Sequence, residues 1–165
     1  MLFIHQITME KVAIFADVQN IYYTTKQSYR RHFNYAAFWT QATAGREVVA
    51  AFAYAIDKSD SKQQGFQQIL RNIGFEVKLK PYIQRSDGSA KGDWDVGITL
   101  DVIDTAAKVD VIVLLSGDGD FDLLLDKAQN AYGVTAEVYG VPGLTAPSLI
   151  KSANRFIAID DKLLL

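Results

Sequence analysis

The chain contains no cysteine. That excludes disulfides, thiolate nucleophiles and Cys-ligated zinc, and it agrees with a cytoplasmic location. Histidine is nearly as scarce, with only His5 and His32 present. Two imidazoles rule out a three-histidine metal site and disfavour a Ser-His-Asp machine. Acid–base chemistry therefore falls to carboxylates, Lys, Tyr or metal-bound water. No apolar run approaches the ~20 residues needed to span a bilayer, so no membrane partner is expected. Met1–Thr8 is apolar but lacks a basic n-region and a small-residue cleavage site. It reads as part of a loose N-terminal extension, residues 1–10, rather than a signal peptide. A strong charge of either sign is also missing. The net charge of −2 excludes the overtly basic class of nucleic-acid binder. Charge is nonetheless segregated, with acids concentrated over 93–126 and bases over 26–31, 58–91 and 151–155.

What is present is a globular composition. The 165 residues are 49% hydrophobic, enough for one domain with a sizeable core. No linker or repeat divides the chain, which reads as a domain over 11–160 and a tail over 161–165. Short apolar runs predict strands at 11–16, 47–56, 75–82, 111–115, 134–139 and 156–159. Helical patterns fall at 35–43, 60–73, 93–107, 119–132 and 145–153. Asp60 or Ser61 is the cap of the second, and Gly74 and Gly133 close the second and the fourth. Residues 84–92 read as a loop. Val111–Leu115 is the most hydrophobic strand and is expected at the sheet centre. Alternating strands and helices imply parallel pairing through right-handed crossovers. The predicted fold class is α/β, a three-layer α/β/α sandwich with a central, mostly parallel sheet. In such sheets sites form outside the carboxyl ends of the strands, at a switch in strand order.

The residues at those strand ends are acidic. The first strand ends in Asp17-Val18-Gln19-Asn20 and the fourth in Ser116-Gly117-Asp118-Gly119-Asp120-Phe121-Asp122. The third helix begins Lys91-Gly92-Asp93-Trp94-Asp95. Asp17, Asp95, Asp118 and Asp120 would converge if all three segments open on one sheet edge. Two carboxylates ~4 Å apart repel by ~4 kcal/mol at an effective dielectric of ~20, and a cation reverses that sign. Hard oxygen ligands of this kind suit Mg²⁺ or Mn²⁺. Hydrolysis of a phosphodiester is the natural reaction of such a centre.

Plainer readings compete at each position. Asp118 or Asp120 can cap the helix that follows, but one helix start cannot use Asp118, Asp120 and Asp122 together. Asp93 is favoured as a cap and Asp95 as a ligand. Asp101 lies nearly two turns beyond Asp95 and reads as a solvated helix face, with Asp104 and Asp126. Asn20, Lys91 and Ser116 are candidates for contacts to substrate or to the ligand carboxylates; helix-start, loop and turn roles are the alternatives. Trp94 reads as packing. Tyr22, Tyr23, Tyr29 and Tyr35, near Arg30 and Arg31, could stack on bases, but a partly buried amphipathic face is the favoured reading. Lys78 and Lys80 read as solvated.

Phe15-Ala16-Asp17-Val18-Gln19-Asn20, Lys91-Gly92-Asp93-Trp94-Asp95-Val96 and Leu115-Ser116-Gly117-Asp118-Gly119-Asp120-Phe121 together resemble the three signatures of NYN domains. The likeness is to the LabA-like group of the PIN-like nuclease superfamily and runs from about Lys11 to Ile159. It implies a PIN-like fold and a metal-dependent ribonuclease site. The family's first Asp and nearby Asn match Asp17 and Asn20, and its paired aspartates match Asp118 and Asp120. The Asp of its Lys-Gly-x-Asp motif matches Asp95, with Trp94 as the extra residue; Asp93 is the alternative. The expected function is an Mg²⁺- or Mn²⁺-dependent endoribonuclease with RNA as partner and a homodimer as a further option. The alternative is a non-catalytic RNA-binding or regulatory module with the same acidic site. A haloacid-dehalogenase-like phosphatase is disfavoured because Gln19 stands where its second Asp belongs. A nucleotide cofactor is disfavoured because no Gly-rich turn follows the first strand.

Overall fold

The structure, a computed structural model, describes residues 8–81, 83–84, 90–91 and 93–165, with 83–84 and 90–91 described by backbone alone. β1 (Glu10–Asp17) leads into α1 (Val18–Tyr29) and α2 (Tyr35–Thr43). β2 (Arg46–Asp57), α3 (Ser61–Ile73) and β3 (Glu76–Pro81) follow. A two-stranded antiparallel ribbon, β4 (Ile83–Gln84) with β5 (Ala90–Lys91), precedes α4 (Asp95–Ala106). The chain continues through β6 (Val111–Leu115), a 3-10 turn at Gly119–Phe121 and α5 (Asp122–Tyr132). It ends with β7 (Thr135–Gly140), α6 (Pro147–Ser152), β8 (Arg155–Ala158) and a 3-10 turn at Asp161–Leu163.

The main sheet has the order β3-β2-β1-β6-β7-β8, and every pairing in it is parallel. β1 shows why three layers form. Val12, Ile14 and Ala16 point to one face, against Ile21, Phe38 and Leu70 of α1–α3. Ala13 and Phe15 point to the other, against Ile98, Leu125 and Leu149 of α4–α6. All five residues are fully buried, as a strand covered on both faces requires. The strand expected at the centre, Val111–Leu115, is there beside β1. Chain order runs outward in opposite directions from these two strands, so the switch point lies between them.

Local chemistry sets the element ends. Asn34 accepts from Ala37 N (3.0 Å) at the start of α2, and Asp60 accepts from Gln63 N (2.8 Å) at the start of α3. Three features depart from expectation. α1 was not predicted, because its β-branched and aromatic residues are weak helix formers; burial of Val18, Ile21 and Thr25 holds it. The segment expected as a loop has paired ends, β4 and β5, while 85–89 and 92 lie outside the described residues. The final residues are packed rather than trailing: Leu163 and Leu164 are buried, and Leu163 O accepts from Asn34 N at 2.8 Å.

Candidate metal centre

Asp17 and Ser116 leave the sheet together, because Ala16 pairs with Leu115 in the register of β1 and β6. Their side chains meet at once. Ser116 Oγ, fully buried, donates to Asp17 Oδ2 at 3.0 Å and accepts from Asp118 N at 3.2 Å. Asn20 N donates weakly to Asp17 Oδ1 at 3.4 Å, and Asn20 Oδ1 accepts from Gly117 N at 2.9 Å. The first and fourth strand ends are thus joined by side chains and not only by the sheet. The two amide protons of Asn20 Nδ2 have no acceptor among the described residues.

Beyond that joint, Asp118 turns its Oδ1 to Asp120 N (2.9 Å) and so caps the 3-10 turn. Capping and clustering coexist here. One carboxylate oxygen each from Asp95, Asp118 and Asp120 lies within 4.8 Å of the other two. Oxygen ligands at ~2.1 Å from an octahedral ion stand ~3–4.2 Å apart, so this donor set fits a hard divalent cation with little movement. Asp17 is not in this three-acid set. Its oxygens are engaged by Ser116 and Asn20, and it stands behind the triad as a fourth charge.

The electrostatics reflect burial first and that crowding second. Burial, chiefly, pushes the Asp17 carboxyl up to about 6; the Ser116 and Asn20 hydrogen bonds oppose this, and Asp118 and Asp93 add to it. Asp95 is pushed up to about 7, first by burial and then by Asp118, Asp93, Asp17 and Asp120. No cationic side chain among the described residues makes an ion pair with Asp17, Asp95, Asp118 or Asp120.

The other expected positions divide. Asp93 is exposed, and its Oδ1 accepts from Asp95 N (3.2 Å), a turn contact at the start of α4. Asp122 opens α5 and accepts from Leu123 N (2.6 Å). Asp101 is not a solvated acid: it accepts from Tyr54 Oη (2.8 Å) and pairs with Lys78 Nζ (2.7 Å). Lys78 and Lys80 are likewise engaged. Lys80 donates to Asp93 O at 3.1 Å and lies 4.4 Å above the Trp94 ring. Trp94 itself donates through Nε1 to Ala55 O (2.9 Å), which pins the start of α4 against the end of β2. The side chain of Lys91 lies outside the described residues. The tyrosines also part company. Tyr35 is buried and Tyr29 donates to Ile159 O at 2.7 Å, whereas Tyr22 and Tyr23 are exposed. Lys26 and His32, which sequence reasoning did not single out, stand beside those two.

This arrangement can be set against known proteins. The model of the NYN domain matches residues 11–160. The chain belongs to the NYN domain family. NYN domains are PIN-like and generally nuclease-like. The chain is 30% identical over 162 residues to the low amplitude and bright protein LabA of Synechococcus elongatus, covering 92% of this chain and 84% of that one. It is 57% identical to a Vibrio parahaemolyticus protein whose crystal structure is described as of unknown function, with a TM-score of 0.93 over 98% of this chain and all of the other. A carbohydrate kinase from Agrobacterium tumefaciens, 12% identical with a TM-score of 0.51 over 90% of this chain and 60% of its own, shares the fold alone. Among the described residues no helix is long and apolar enough to cross a membrane.

Proposed function

We propose that this NYN domain protein is a divalent-metal-dependent endoribonuclease. The observation that carries the reading is the meeting of Asp95, Asp118 and Asp120 at the switch point, with Asp17 behind them. Asp95, Asp118 and Asp120 would hold Mg²⁺ or Mn²⁺. Bound there, the ion supplies charge neutralisation at the phosphate and activation of water. The chain does the positioning. Ser116 fixes Asp17 and the Asp118 backbone in one contact, and Asn20 fixes the turn at Gly117 while leaving its amide protons for a phosphate oxygen. Lys91 is assigned to substrate from its place in the Lys-Gly-x-Asp-like motif. The same reading takes RNA as the partner and the cytoplasm as the location, supported by the family and by the absence of cysteine.

The test is cleavage of a fluorogenic RNA in Mn²⁺, in Mg²⁺ and in EDTA by wild type, Asp118→Asn and Asp17→Asn. The expected result is metal-dependent cleavage that falls at least 100-fold in Asp118→Asn. Equal cleavage by all three proteins sinks the proposal. RNA that binds but is never cut identifies the site as a binding module instead.

A further inference from the structure

A groove runs along α1 away from the aspartates. Its near part, of about 550 Å³, is lined by Val18 and Gln19, which directly follow Asp17, and by Ala55 and Ile56 of β2, which directly follow Tyr54, the register partner of Asp17. Its far part, an open hollow of about 750 Å³, lies at the end of α1 around Lys26, Arg30 and Arg31. Tyr22, Tyr23 and His32 line both, so the two hollows adjoin along α1. Lys26, Arg30, Arg31, Lys58 and Lys62 line the path; Arg31 is paired with Asp161 and donates to Leu165 O, and Asp60, the acidic side chain among the lining residues, caps α3 through Oδ1. A basic track on a chain of net charge −2 is a local feature of this face.

Aromatic side chains line the same track. Tyr22 is 42% and Tyr23 53% exposed, with their rings 5.4 Å apart edge to face. The His32 ring lies 6.2 Å from Tyr22, tilted by 30°. Lys26 Nζ stands 5.5 Å from the Tyr22 ring centre, and neither Lys26 nor Arg30 makes an ion pair among the described residues. Exposed tyrosine rings beside cations that make no ion pair among the described residues suit nucleobases, which stack, and phosphates, which pair with cations. Arg30 holds φ at +55°, a left-handed conformation that favours Gly or Asn, yet the residue there is a cation at the mouth of the groove. A second copy of the chain is a poor occupant, since a two-fold contact would set these cations against themselves.

We propose that the α1 groove binds single-stranded RNA, with Tyr22 and Tyr23 as stacking platforms and Lys26 and Arg30 as phosphate contacts. The twelve residues of α1 span ~18 Å, room for on the order of five stacked nucleotides at ~3.4 Å each. The direction of the strand towards the aspartates rests on the nuclease reading; binding itself does not.

The experiment is fluorescence anisotropy of labelled U12 in EDTA, where no cleavage occurs, at two salt concentrations. Wild type binds U12 more tightly than the U12–A12 duplex, whose bases are not free to stack. Tyr22→Ser/Tyr23→Ser weakens binding at least tenfold, and Tyr22→Phe/Tyr23→Phe restores it. Lys26→Ala/Arg30→Ala weakens it similarly and makes the salt dependence shallower by ~1.4 in the log–log slope, as two lost phosphate contacts require. Unchanged U12 affinity in the Ser and Ala pairs overturns the proposal. So does a fall in solution mass in those pairs, which marks the face as a self-interface, or tighter binding of dT12 than of U12. A protein that cleaves RNA while the groove variants bind normally refutes the groove and leaves the nuclease standing. Binding through the groove without cleavage in Mn²⁺ does the reverse.

Discussion

Asp17 is only 9% exposed, and its burial holds a carboxyl near 6 that would titrate near 3.8 in water. Between those values the folded protein keeps a proton that the unfolded chain has released, so stability falls as pH rises from about 4 to 6 and stays lowered above. The displacement corresponds to about 3 kcal/mol at ~1.4 kcal/mol per pH unit. Asp17→Asn removes the charge and keeps an oxygen for the Asn20 N–H. Its cost is that the Ser116 hydroxyl must turn to a new acceptor. In EDTA at pH 7.5 the variant is therefore expected to melt several degrees above wild type, at ~2–4 °C per kcal/mol for a chain of this size. Below pH 4 the two curves should converge, because both side chains are then neutral. A lower melting temperature for the variant at pH 7.5 would show that the Ser116 contact outweighs the charge. Asp101 makes the complementary point. It is the same residue type as Asp17, but Tyr54 and Lys78 engage it, and nothing in the sequence separates the two roles.

At the scale of elements, the parallel strands were legible because burial on both faces imposes continuous apolar runs. The capped helices were legible because Asp60 and Gly74 mark their own ends. α1 was not legible, because packing rather than propensity holds it, and the groove along it stayed hidden as a result. The aspartates were visible as strand-end residues, but which of them stand close enough to hold one ion depends on how two loops fold over each other. The Ser-Gly-Asp-Gly-Asp segment shows this. A Cβ on Gly117 would lie 2.7 Å from Leu144 O, and one on Gly119 would lie 2.8 Å from the Ala146 Cβ. The loop before α6 presses on the turn that carries Asp118 and Asp120, and Ala146 N donates to Gly117 O at 3.0 Å. Gly117→Ala is thus expected to destabilise by about 1–3 kcal/mol, the usual range for overpacking, and to abolish Mn²⁺ binding by shifting Asp118. Gly133→Ala is the control. It has open space but φ of +69°, so it should lose about 1 kcal/mol and leave Mn²⁺ binding intact. Calorimetric titration with Mn²⁺ alongside thermal melts separates the two. Equal loss of Mn²⁺ binding in both would mean that general destabilisation, not the turn, governs the site.

For the whole molecule, the acidic edge sets fold and function against each other. Asp17, Asp93, Asp95, Asp118 and Asp120 gather where no side-chain cation among the described residues pairs with Asp17, Asp95, Asp118 or Asp120. The raised values of Asp17 and Asp95 come first from burial and then from repulsion by the neighbouring acids. Protons and a divalent ion then compete to relieve the same repulsion. An ion at 100 times its Kd stabilises a fold by ~2.7 kcal/mol, here worth roughly 5–10 °C in Tm. The gain should be full at pH 7.5, where a metal displaces few protons. It should shrink at pH 5, where Asp17 and Asp95 already hold protons and the repulsion is already relieved. Asp118→Asn should show little gain at either pH. Thermal melts in EDTA, in Mn²⁺ and in NaCl of matched ionic strength decide the matter. If NaCl gives the same gain as Mn²⁺, the acids form a screened patch and not a site. If the Mn²⁺ gain is undiminished at pH 5, the ion is held by groups other than these carboxylates.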